Sequence, residues 1–171
     1  RFFENLAIPY AYAFTISASE KDEKETKMNQ GTWVRTQQEY QQVFDFLTDK
    51  LLRKEEVFNM DFKQKLSILN QKTIRTHGCE AGRASFLVDE LGRYFACQNM
   101  LPYQACIGEL ENGIVSSIRD RYKSQFVSEL KDCQQCWARY LCGGGCQTER
   151  IFNASSQSMY CDISRFEWEQ I

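Results

Sequence analysis

Apolar residues recur along this 171-residue chain in two rhythms, and the change falls near residue 77. Upstream, the rhythm is helical. Tyr40, Val43, Phe44, Leu47 and Leu51 stand at i, i+3, i+4, i+7 and i+11, which is one face of a helix over 36–54. Thr36 followed by Glu39 reads as its capping box. Phe62, Leu66 and Leu69 mark a second helix over 60–71. Both stripes are read as core packing. Ahead of them, residues 6–18 are mostly apolar and rich in β-formers, and predict one buried strand starting after Pro9. The polar stretch 20–30 predicts a solvated loop.

Downstream the segments shorten and turn residues multiply. Residues 84–88 and 94–97 flank Asp89-Glu-Leu-Gly92 and predict a β-hairpin closed by the glycine. A hairpin brings its ends together, so Cys79 and Cys97 become neighbours. Residues 104–108 and 114–115 predict a second hairpin around the Asn112-Gly113 turn. Ser117 and Asp120 resemble a capping box opening a helix to Leu130, with Ile118, Tyr122, Phe126 and Leu130 at every fourth position. Ile163, Phe166 and Ile171 predict a short terminal helix after Cys161. The fold class is therefore α+β.

Composition narrows the function. Apolar residues make up 43% and charged residues 26%, which predicts a packed core rather than disorder. The formal charge of −2 gives no case for nucleic acid or an anionic membrane surface. No apolar run reaches the roughly 18 residues of a membrane span. The start, Arg1-Phe-Phe-Glu-Asn, lacks both an initiator methionine and a secretory h-region, so the chain is read as a piece of a longer protein. Asn153-Ala-Ser155 fits the glycosylation pattern and, with no secretory signal, is read as a chance match.

Chemistry concentrates at residues 133–161. Cys133, Cys136, Cys142, Cys146 and Cys161 lie there, with Gly143, Gly144 and Gly145 between two of them. Soft thiolates select zinc, copper(I) or iron–sulfur clusters. Three glycines let the backbone turn tightly around a bulky centre, and their N–H groups are possible donors to cluster sulfides. Eight cysteines also permit disulfides. The spacings and the apolar content favour metal over a stapled secreted scaffold. One histidine, His77, leaves the usual hydrolase triads hard to build. It reads as a loop residue, with a donor role near Cys79 as the alternative. Trp137, Tyr140, Phe152 and Tyr160 are read as an apolar shell around the cysteines.

The full pattern is Cys79, twelve residues, Gly92, four residues, Cys97; then Cys133-x2-Cys136-x5-Cys142-x3-Cys146; then Cys161 after fourteen residues. It resembles the SPASM domain, the cysteine-rich C-terminal extension of many radical S-adenosylmethionine enzymes. The resemblance covers residues 77–171. It implies two auxiliary [4Fe-4S] clusters with interleaved ligands: Cys79, Cys97 and Cys146 on the first, and Cys133, Cys136, Cys142 and Cys161 on the second. Cys106 lies outside the pattern. It either closes the first cluster or is a small buried hydrophobe.

The resemblance further implies β-hairpins and short helices around two metal clusters in 73–171. Residues 1–72 would be the last strand and helices of a partial (β/α) barrel plus linker. Partners would be a peptide or protein substrate and a missing N-terminal barrel, with no nucleic acid and no membrane, in the cytoplasm. The CxxxCxxC motif that binds the radical-generating cluster does not occur here. S-adenosylmethionine would belong to the parent protein, and this piece would not be catalytic alone. The competing expectation is a zinc-binding structural or interaction module without a redox role. Zinc in the isolated piece is compatible with either.

Overall fold

The computed structural model describes residues 1–11, 30–152 and 157–171. The chain divides into two compact units: Arg1–Thr73 with Phe166–Ile171, and Ile74–Arg165.

The first unit is helical. A short α1 (Phe2–Asn5) precedes the long α2 (Gln30–Leu52) and α3 (Met60–Asn70). Most of the predicted stripe is buried: Phe44 and Leu47 of α2 pack with Val57 and with Phe62 of α3, flanked by Tyr40, Val43, Leu66 and Ile171, while Leu51 and Leu69, near the ends of their helices, are exposed. α2 begins at or before Gln30, so Thr36 sits inside the helix and does not cap it. α3 is capped by Asn59, whose side chain accepts from the Phe62 N–H at 2.8 Å. In the described part of the predicted strand, Leu6 and Ala7 form a turn and Tyr10 makes a single parallel bridge to Asn59. Residues 12–18 of that strand, and the predicted loop apart from Gln30, lie outside the described residues.

A buried ion pair ties this unit together. Glu4 accepts from Lys50 Nζ at 2.7 Å and from the Phe58 and Asn59 N–H groups at 2.9 and 3.0 Å. Its carboxyl is held below the usual carboxylate range. Burial pushes it up, but Lys50 and the Phe58 N–H together outweigh burial.

The second unit opens on an antiparallel sheet of β1 (Leu87–Val88), β2 (Arg93–Phe95), β3 (Cys106–Glu109) and β4 (Gly113–Ile114), in that spatial order. The two predicted hairpins are thus halves of one meander, joined by β2–β3 pairing with an irregularity at Tyr94/Phe95. Phe95, Ala96, Met100, Ile107 and Tyr122 form its core. Tyr122 belongs to α4 (Ser116–Lys123), which ends seven residues before Leu130. Ser117 lies within α4, so the predicted capping box is not the cap. Beyond it the chain makes three helices of four to six residues: α5 (Lys131–Gln134), α6 (Arg139–Cys142) and α7 (Gln147–Phe152). Such lengths are below what periodicity can register. α8 (Gln157–Glu169) starts ahead of Cys161 rather than after it. The Asn153–Ser155 sequon lies outside the described residues.

The α+β class holds: helices accompany one small antiparallel sheet. No described helix is long and apolar enough to cross a membrane.

Candidate metal centre

Two backbone segments lie against each other in the second unit. The Arg75 N–H donates to the Tyr140 carbonyl at 2.8 Å, and its guanidinium donates to the Leu141 and Gly78 carbonyls. A Cβ on Gly78 would collide with the Gly145 carbonyl oxygen, and one on Gly143 with that of His77. Glycine is needed here for close approach of backbone to backbone. Gly143, Gly144 and Gly145 have φ of 76°, 98° and 73°. Three successive residues in the left-handed half of the map reverse the chain sharply, which L-residues with a Cβ resist. Cys146 is thereby turned away from Cys142 and toward the segment that carries Cys79.

A second tie brings in Cys97. The Gly82 N–H donates to the Ala96 carbonyl at 3.1 Å, fastening the 79–85 turn to the end of β2. Arg119 on α4 holds the same turn by donating to the Gly82 and Arg83 carbonyls at 3.0 and 2.9 Å. Cys79, Cys97 and Cys146 consequently line one cavity of about 560 Å³. They come from three separate stretches of chain.

The sulfurs sense one another. Burial pushes the Cys79 thiol up, and nearby Cys146 and Cys97 push it the same way. The backbone of Ala81 and Gln147 opposes them. A bound cation would reverse this balance, since a coordinated thiol is deprotonated outright.

Four other cysteines gather elsewhere. Cys133 is 6% exposed, and its thiol is raised by burial and by Cys161 and Cys142, against the pull of Arg150. Arg150 reaches the Cys133 sulfur at 3.7 Å and the Gly144 carbonyl at 2.7 Å. Cys136 follows in the turn closed by its N–H to the Cys133 carbonyl, at 3.0 Å. Arg165 lies near both Cys136 and Cys161. Two guanidinium groups therefore face this second set. Each stabilises thiolate charge.

Cys106 sits on β3 opposite Phe95, packed on the apolar core, and its thiol donates to the Gly108 carbonyl at 2.8 Å. It is not among the residues lining the cavity. His77 bonds Thr76 through Nδ1 at 2.8 Å and Arg83 through Nε2, with Phe126 against its ring. Burial and Arg83 depress its pKa, which keeps it neutral at pH 7. The expected aromatic shell does not form: Trp137 is 54% exposed, and Tyr140 and Phe152 are exposed too. Trp137 and Tyr140 sit on or beside the one-turn α6, too short a helix to bury both. Tyr160 alone lies near Cys146, its phenol raised mainly by burial.

Among the described residues, no three His, Cys, Asp or Glu side chains are gathered tightly enough to hold a single metal ion. The wall of the cavity nevertheless suits a bound group. Gln147 lines it, is 4% exposed, and has neither Nε2 nor Oε1 paired. Thr148, 1% exposed, places its hydroxyl 3.3 Å from the Cys97 sulfur. Sequence spacing passed over Gln147, Thr148, Arg119, Arg150 and Arg165. The only signal for the first two is that they directly follow Cys146. Comparison with protein-family models, with curated proteins and with solved structures found no match for this chain.

Proposed function

We propose that this chain is the auxiliary iron–sulfur portion of a radical S-adenosylmethionine enzyme with a SPASM extension, acting on a peptide or protein substrate. The observation that carries the reading is the partition of the cysteines. Cys79, Cys97 and Cys146 share one cavity, while Cys133 interacts with Cys142 and Cys161. This division runs along the two ligand sets that the family resemblance implies. Sulfurs around the wall of a cavity suit the corners of a cluster. A lone zinc ion with bonds of about 2.3 Å would draw its thiolates to about 3.8 Å from one another.

In this reading Cys79, Cys97 and Cys146 hold the first centre, and Cys133, Cys136, Cys142 and Cys161 the second. When bound, such clusters supply one-electron transfer or an anchoring point for substrate. The chain's own residues set the conditions. The backbone of Ala81 and Gln147 favours charge on the Cys79 sulfur, and Arg150 and Arg165 offset negative charge at the second set. S-adenosylmethionine and the radical chemistry belong to a barrel in the parent protein. Oxygen-sensitive thiolate centres call for a reducing compartment, the cytoplasm.

The test is the metal content of anaerobically reconstituted protein. Uptake of about eight irons and eight sulfides, two four-iron clusters, is the expected result. One or two zinc ions with no iron uptake would replace it with a structural zinc module.

A further inference from the structure

We propose that Thr148 is a positioning residue of the first metal centre, its buried hydroxyl holding the Cys97 sulfur in place for the metal. The inference rests on the reading that Cys79, Cys97 and Cys146 are ligands, and adds to it a residue that the cysteine pattern does not contain. Three observations converge on it. Thr148 is 1% exposed, so its hydroxyl has no bulk water to bond. Its Oγ1 lies 3.3 Å from the Cys97 sulfur, across 51 residues of sequence. It also stands two residues after Cys146, which lines the same cavity as Cys97. The tripeptide Cys146-Gln147-Thr148 thus supplies one sulfur and touches a second.

The chemistry fixes the direction of the bond. With a neutral thiol either atom can donate. Once Cys97 is a metal-bound thiolate it has no proton, and the hydroxyl alone is the donor. A donor to a ligating thiolate fixes its rotamer and withdraws charge from the sulfur. Loss of such outer partners typically weakens metal binding about 10–100-fold.

The experiment uses ferrous iron with sulfide as probe, in the full chain carrying Cys133→Ala and Cys142→Ala so that the second set does not compete. The centre is reconstituted anaerobically, and its retention against an iron chelator is followed by the sulfide-to-iron absorbance. Thr148→Val keeps the shape and removes the hydroxyl, and is expected to lose the centre at about 10–100-fold lower chelator concentration. Thr148→Ser keeps the hydroxyl and is expected to hold iron as the parent does. Equal retention in parent and Thr148→Val overturns the role of Thr148 and leaves the centre standing. Thr148→Ser failing as badly as Thr148→Val also overturns it, because methyl packing would then be what matters. No iron and sulfide uptake in the parent overturns the metal centre, and the role of Thr148 with it.

Discussion

Gln147 places both a donor and an acceptor in the interior with nothing to bond. Each such orphan costs about 1–3 kcal/mol. Gln147→Leu removes both at similar volume. It should stabilise the metal-free protein by about 2–6 kcal/mol, read as a higher melting temperature. A lower one would mean that the carboxamide is satisfied in solution. Among the cysteines, the expected ligand sets predict that Cys133→Ala or Cys142→Ala strips one centre and spares the other. Iron and sulfide analysis should show loss of about half the total. Full retention in both variants would sink the assignment. Cys106 should behave differently. Its thiol is engaged with the Gly108 carbonyl, so Cys106→Ala should cost stability and leave metal content unchanged.

At the scale of elements, the decisive contact is between two irregular segments, 75–78 and 140–145. Regular structure contributes the sheet whose β2 leads into Cys97 and the α4 arginine that holds the 79–85 turn. Gly78→Ala drives a Cβ into the Gly145 carbonyl. The segments would have to part, carrying Cys79 away from Cys146. We expect a loss of more than about 2 kcal/mol, from denaturant unfolding, together with weaker metal uptake. Gly113 is a useful control: it also has positive φ, 71°, but a Cβ there meets nothing within 4 Å. Gly113→Ala should therefore cost only the backbone strain of about 1–2 kcal/mol, without touching metal.

For the whole molecule, the two units should answer to different variables. The helical unit depends on the buried Glu4–Lys50 pair. Glu4 has a folded pKa below its unfolded value, so the unfolded chain binds the proton more readily. Its contribution is fully present above the unfolded value of about 4.3 and is lost as pH falls through the folded one. Glu4→Gln strands Lys50, whose side chain is 11% exposed, and should cost about 3–5 kcal/mol at neutral pH. Thermal melts across pH check both statements. Metal, by contrast, should protect amides of Ile74–Arg165 from hydrogen exchange and leave those of α2 unchanged. Protection spread equally over both units would contradict that division.

The sequence by itself determined what local period and spacing can encode. Most of the α2 and α3 stripes and the two hairpins were legible, because each depends on residues a few positions apart, and the seven cysteines were legible as a set of spacings along the chain. It misjudged the ends of elements. Thr36 and Ser117 look like caps, yet the helices start upstream of both. Helix boundaries are decided by packing as much as by capping propensity. Only the tertiary structure decided which sulfurs share a cavity, that Cys106 turns to its own strand, and that Thr148 and Gln147 stand beside the thiols. The physical reason is that these relations rest on contacts between distant backbones, the Gly78–Gly145 approach and the Gly82–Ala96 hydrogen bond among them. Local preference carries no record of such contacts.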